Sequence, residues 1–213
     1  METFTYSPPD TPLEVIHLED SFLLVNKPAG LLSVPGKSDD LSDCLQSRLW
    51  AEFGDTLLVH RLDMDTSGIM IFARKKSAQR DLNRQFENRS TDKRYVALVA
   101  GTLQSDSGVI DQPMQVDWPN RPLQKIDPDG KPAVTTWEVL DRSKSQTKVA
   151  LYPKTGRSHQ LRLHMQWLGH PILGDRFYGD ANSAPRLCLH AEMLSFDHPL
   201  TQKRVTFTAP MPF

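Results

Sequence analysis

Apolar residues along this chain recur mostly in short runs and alternations, a pattern that predicts many strands and few helices. Val15-Ile16-His17-Leu18 and Phe22-Leu23-Leu24-Val25 read as two strands around a Glu19-Asp20 turn. Lys27-Pro28-Ala29-Gly30 ends the second, because proline cannot donate to a ladder and glycine admits unusual dihedrals. Leu31–Gly36 continues as a loop, and Leu45 and Leu49 suit a helix from Ser42 to about Phe53. Ile69–Ala73 is an unbroken apolar run, the mark of a buried strand. A helix follows, with Ser77 as its N-cap and Ala78, Leu82 and Phe86 repeating every four residues. Lys93–Gly101 reads as a strand. Residues 104–132 read as short strands or a long excursion, including Trp118-Pro119-Asn120-Arg121-Pro122. Val134–Val139 and Thr147–Tyr152 suit a hairpin around Asp141–Ser145. Ser158–Leu168 suits a helix through Leu161, Met165 and Leu168, stopped by Gly169 and Pro171. Leu187–Phe196 and Arg204–Thr208 are strand-like. Strands joined by short turns favour an α+β fold with a mixed, mainly antiparallel sheet over a doubly wound parallel one.

Composition adds little: 213 residues, 38% hydrophobic and 24% charged, describe an ordinary globular chain. Residues 1–12 form a polar, proline-containing arm with neither the basic nor the apolar region of a secretory signal. No apolar run approaches the roughly 18 residues that span a membrane. Cys44 and Cys188 make no disulfide framework and read as reduced, buried thiols of a cytoplasmic protein. The net charge of −1 conceals an uneven distribution. Residues 1–63 carry eleven acidic and four basic side chains, whereas residues 74–94 carry eight basic against three acidic. That second stretch, with Arg74, Lys75, Arg80 and Arg84, suits either a solvated helix face or a phosphate-binding patch.

Several chemistries are missing. There is no phosphate loop and no dinucleotide fingerprint, and neither cysteine has a zinc-spaced partner. His159, His164 and His170 lie five and six residues apart, which does not stack them on one helical face, so they suit hydrogen bonding or RNA contact better than metal. His60, Asp63 and Ser67 contain the residue types of a hydrolytic triad but lack the nucleophile elbow. On spacing alone, His60–Gly68 is a polar turn before a strand.

The wider set of motifs changes that. His60-Arg61-Leu62-Asp63-Met64-Asp65-Thr66-Ser67-Gly68 resembles the central signature of the RluA family of pseudouridine synthases at every fixed position. Val25-Asn26-Lys27-Pro28-Ala29-Gly30-Leu31 resembles the family's first motif, and Lys93-Arg94-Tyr95-Val96-Ala97 the one holding its active-site tyrosine. Gly156–His164, Gly169–Asp175 and Leu189-His190-Ala191 resemble the C-terminal motifs. The resemblance covers essentially the whole chain. Asp117–Pro122, with no added N-terminal RNA-binding domain, resembles the family's dual-specificity subgroup, which acts on a tRNA anticodon loop and a large-subunit rRNA hairpin.

The resemblance implies one catalytic domain over residues 13–213, with a bent, mainly antiparallel sheet crossed by a cleft. It implies a monomer acting on structured RNA, without cofactor, metal or membrane. Asp63 becomes the catalytic carboxylate; nucleophilic attack on base or sugar and removal of a sugar proton all suit the motif. Arg162 becomes the cation that keeps Asp63 charged, and Tyr95 stacks on the uracil. Arg61 becomes the wedge that enters the space of a flipped base. Arg157 and His159 join Arg74, Lys75, Arg80 and Arg84 as RNA contacts, while His60, Thr66 and Leu163 support the motifs. Asp65 holds a variable motif position.

Overall fold

A computed structural model describes residues 5–213; the first four residues of the expected arm lie outside the described residues. From Thr5 to Leu13 the backbone has no regular structure. The chain divides into two compact units, one of Met1–Asp92 with Glu192–Pro210, the other of Lys93–Ala191 with Met211–Phe213.

In the first unit, β1 (Glu14–Leu18) pairs antiparallel with β2 (Phe22–Lys27), with an irregularity between Val15 and His17. β2 pairs antiparallel with β4 (Ser67–Ala73), from Phe22 opposite Ala73 to Lys27 opposite Gly68. All seven residues of β4 are buried, as its apolar run predicts. The two-residue β3 (Leu57–Leu58), which no periodicity announces, lies along the end of β4. β11 (Leu189–Asp197) contributes its residues from Glu192 onward here, paired antiparallel with β12 (Arg204–Thr208). Phe22 meets Phe196 edge-on at 5.3 Å, and Phe196 stacks on Phe207 at 5.9 Å.

The helices of this unit begin where their caps allow. α1 (Leu45–Phe53) starts three residues after the expected Ser42, because the Cys44 sulfur accepts the Ser47 N–H and the Ser47 hydroxyl accepts the Cys44 N–H. α2 (Lys76–Glu87) is capped at Lys75 without a side-chain bond, not at Ser77. Its buried face is Ala78, Leu82 and Gln85. Gln85 exchanges two hydrogen bonds with the Asp197 backbone (2.7 and 2.8 Å), so a polar side chain docks the helix on β11.

In the second unit, β5 (Asp92–Ala100), β10 (Gln146–Pro153), β9 (Val134–Arg142) and β6 (Ser107–Asp111) neighbour one another in that order, each pairing antiparallel. β9 and β10 form the expected hairpin. The stretch 104–132 resolves into β6, the β7 (Met114–Val116)–β8 (Gln124–Ile126) pair and a 3₁₀ turn at Trp118–Asn120. Ala97, Val99, Trp137, Val149, Leu151, Leu161, Met165 and Ile172 share one core. α3 (Gln160–Trp167) starts two residues after Ser158, because His159 takes a left-handed φ of 56°. It stops at Gly169 (φ 87°), whose N–H bonds Gln166 while His170 N–H bonds Met165, the double bond of a Schellman cap. Both cysteines are free and buried. Among the described residues, no helix is long and apolar enough to cross a membrane.

Candidate active site

The loop carrying Asp63 is fixed by the residues on either side of it. Lys27, fully buried at the end of β2, donates from Nζ to the carbonyls of Pro28 (2.9 Å), Leu31 (2.6 Å) and Met64 (2.9 Å). An ammonium has three N–H donors, and all three find carbonyls here. The Met64 carbonyl also accepts the Gly30 N–H (2.9 Å), so the 25–31 motif and the 60–68 motif are one hydrogen-bonded assembly. One residue before Asp63, the Ser33 hydroxyl donates to the Leu62 carbonyl (2.7 Å) and accepts the Leu62 N–H (3.2 Å). Beyond it, the Thr66 N–H returns to the Asp63 carbonyl (3.1 Å). Asp63 is half-buried on this pinned turn, and Arg61 beside it is exposed.

His60 is tied to the neighbouring elements. Its Nε2 accepts the Ile71 N–H (3.1 Å), and its ring stacks on Phe86 at 4.7 Å. An imidazole committed to a strand's backbone and a helix's aromatic is structural support, and with Ser67 buried inside β4 a hydrolytic triad has no basis here. Thr66 is buried at the entry to β4.

The second unit holds the buried cation. Arg162, 2% exposed on α3, makes a fork-to-fork pair with Asp175: Nε to Oδ2 at 2.8 Å and Nη2 to Oδ1 at 2.7 Å. Its guanidinium lies 5.0 Å over the Phe177 ring and 5.5 Å over Tyr178. Asp175 Oδ1 also accepts the backbone N–H groups of Phe177 (2.9 Å) and Tyr178 (3.1 Å). Burial by itself would raise Asp175, but the Arg162 guanidinium and those two N–H groups hold its carboxyl below the usual range. The bidentate carboxylate partner seen for Arg162 is therefore Asp175, a residue inside the 169–175 motif. Gly174 makes this placement possible: with φ 72°, any Cβ would stand 2.0 Å from the Arg186 carbonyl oxygen.

Around α3 the polar side chains lock together. Gln160 Oε1 accepts from the Thr155 hydroxyl (2.7 Å) and the Arg157 N–H (3.1 Å), and Gln160 Nε2 donates to the Val134 carbonyl and the Thr135 hydroxyl. His164 Nδ1 shares Thr135 Oγ1 (2.9 Å), with Nε2 3.2 Å from the Gln112 carbonyl. His159 Nδ1 lies 2.9 Å from the Tyr178 hydroxyl, which accepts the Gln124 N–H. Leu163 packs with Met114, Ala133 and Tyr178. Tyr95, half-buried on β5 opposite Leu151, packs on the core.

The basic residues divide. Arg80 is exposed on α2; Arg84 is exposed and ion-paired with Asp81. Arg74 donates to the Glu19 carbonyl (2.8 Å), tying down the β1–β2 turn. Lys75 is exposed, 3.8 Å from Asp20, and Arg157 Nε reaches the Pro132 carbonyl (3.2 Å). Among the described residues, no cluster of His, Cys, Asp and Glu is arranged to hold a metal ion.

Lys27 and Asp175 carry no role in the sequence reading. Strand alternation does signal Lys27: it shares a face with Leu23 and Val25, an inward position for a cation.

The first unit thus offers an aspartate on a clamped turn and the second a buried arginine–aspartate pair, each a group suited to acid–base or nucleophilic chemistry on an α+β scaffold. Comparison with known proteins gives that class its identity. The RNA pseudouridylate synthase family pattern matches residues 21–167, and the chain belongs to that family. It is 51% identical over 219 residues to the dual-specificity RNA pseudouridine synthase RluA of Pasteurella multocida, covering all of both chains. It is 48% identical to the protein of that name from Escherichia coli, over 98% of each. The structure matches human RNA pseudouridylate synthase domain containing 1 with a TM-score of 0.80 at 31% identity, covering 97% of this chain and 87% of that one. Human RNA pseudouridylate synthase domain containing 4 matches with a TM-score of 0.75 at 28% identity, over 93% and 88%. The chain is an RNA pseudouridine synthase, an isomerase, and the mainly antiparallel α+β fold expected from the sequence is the fold observed.

Proposed function

We propose that this enzyme converts uridine to pseudouridine in a structured loop of tRNA, of large-subunit rRNA, or of both, with Asp63 as its catalytic carboxylate. The substrate reading rests on the relatives, which are named as dual-specificity enzymes at about half identity over full length. The observation that carries the residue assignment is the clamp on the Asp63 turn by Lys27 and Ser33. A reaction that must return a detached uracil to its own sugar needs a carboxylate that does not wander.

The isomerisation breaks N1–C1′, turns the base and joins C5 to C1′. The C5 proton leaves and N1 regains one, so no electron is gained or lost overall. Asp63 acts as the carboxylate at the reacting nucleotide. Arg162, with its guanidinium oriented by Asp175, serves as the reaction's cation. Tyr95 stacks on the uracil and serves the C5 proton transfer. Arg61 fills the gap left by the flipped nucleotide, at a cost of a few kcal/mol of unstacking that is least for a loop base. Arg74, Lys75, Arg80, Arg84, Arg157 and His159 serve phosphate contacts that position without reading sequence. The enzyme works as a monomer in the cytoplasm, where these RNAs reside.

The test is a map of pseudouridine in total RNA from cells with and without the gene. Loss of an anticodon-loop pseudouridine, a large-subunit rRNA pseudouridine or both is the expected result; identical maps would contradict the proposal.

A further inference from the structure

Trp118 is the most exposed of the chain's four tryptophans, with 68% of its surface open, while Trp137 lies in the core. It does not dangle. The Asn120 N–H bonds the Asp117 carbonyl (3.0 Å), the Leu123 N–H bonds Asn120 (3.0 Å), and the Asp117 N–H bonds Leu123 (2.9 Å). The Asn120 side chain donates to the Asp117 carboxylate (2.9 Å), and Pro119 and Pro122 stiffen what remains. The Arg121 guanidinium sits 4.6 Å over the indole. The base of this turn is tied to α3: Leu123 packs with Leu163 and Tyr178, and the Gln124 N–H bonds the Tyr178 hydroxyl that meets His159.

A rigid turn that holds a large aromatic in water under a guanidinium is built to receive something. Aromatic anchors of protein interfaces sit inside desolvated, close-packed patches. Here Trp118 is surrounded by exposed Pro119, Asn120, Arg121 and Pro122. A flat, polar-edged ring attached to a polyanion fits better, since every nucleobase has a face to stack and the arginine meets its phosphates.

We infer that Trp118 and Arg121 form a stacking platform for an unpaired base of the substrate RNA other than the target uridine, placed by its link to His159 and α3. The inference rests on the proposed activity and adds a second point of RNA recognition. The platform stacks rather than reads base edges, so it selects for an accessible loop base, not for its identity.

The test titrates wild-type protein and the Trp118→Ala, Trp118→Phe and Arg121→Ala variants into a fluorescein-labelled tRNA anticodon stem-loop, and into versions with single abasic nucleotides in the loop. Trp118→Ala should weaken binding roughly ten-fold, as loss of one stacked base does, and Trp118→Phe should recover most of it. One abasic position should weaken wild-type binding equally and add nothing in Trp118→Ala, the non-additivity of a direct contact. Equal affinity of Trp118→Ala and wild type would overturn the platform and leave the indole to a protein partner. Wild-type pseudouridine formation on the same RNA and on large-subunit rRNA is scored in parallel. Its absence on both would contradict the proposed function; its presence with an unchanged Trp118→Ala affinity would contradict only the platform.

Discussion

Arg162 and Asp175 form a buried ion pair, fork to fork, thirteen residues apart in the chain. Removing one partner of such a pair strands the other in a medium that cannot solvate it, typically at about 3–5 kcal/mol. Asp175→Asn keeps the shape and removes the charge. It should lower unfolding stability by about that amount in urea titrations. It should also reduce kcat more than RNA affinity, because Arg162 loses the group that orients it.

Lys27 predicts a different kind of failure. Lys27→Met would leave the carbonyls of Pro28, Leu31 and Met64 without their shared donor inside the protein. The Met64 carbonyl keeps the Gly30 N–H, but each carbonyl left unsatisfied costs about 1–3 kcal/mol, so the variant should unfold at markedly lower urea. Lys27→Arg should not rescue it, since a planar guanidinium fork cannot converge on three carbonyls as a compact ammonium does. Hydrogen exchange at Met64 and Thr66 in both variants would report loosening of the Asp63 turn.

His164 gives stability a pH dependence. Burial, against weaker opposing effects from the Gln112 carbonyl and Asp111, lowers its pKa below the ordinary 6.5. The unfolded chain therefore binds a proton at higher pH than the folded one. The stability that neutral His164 contributes is fully present above about pH 6.5 and is lost as pH falls through the folded value. Urea midpoints between pH 7.5 and 5 should decline in wild type, and His164→Gln should flatten that decline.

Much of this architecture was readable from periodicity. The unbroken apolar run of β4, the alternation along the β9–β10 hairpin and the stop at Gly169 all follow from local physics. Helix starts did not, because they depend on caps with no common sequence signal: a cysteine sulfur at Cys44, an uncapped Lys75, a left-handed His159. The site was legible through motif resemblance rather than spacing. His60–Gly68 alone is a polar turn, and what gives it structure is Lys27, thirty-seven positions from Met64. The role of Asp175 is not legible in the sequence, because a partner for Arg162 is a matter of how α3 meets the 169–175 loop, which no local pattern encodes.

On α2, Arg80 is exposed and Arg84 is tethered to Asp81. If the helix meets phosphates, Arg80→Ala with Arg84→Ala should flatten the slope of log affinity against log salt by about one to two contacts' worth. An unchanged slope would return α2 to an ordinary solvated face.

The central claim is that Asp63 is the catalytic carboxylate. Asp63→Asn keeps the side chain's size and removes its charge. With a labelled anticodon stem-loop, pseudouridine formation by this variant should fall to background in single-turnover assays while its affinity for the RNA stays within a few-fold of wild type. Turnover at the wild-type rate would contradict the account.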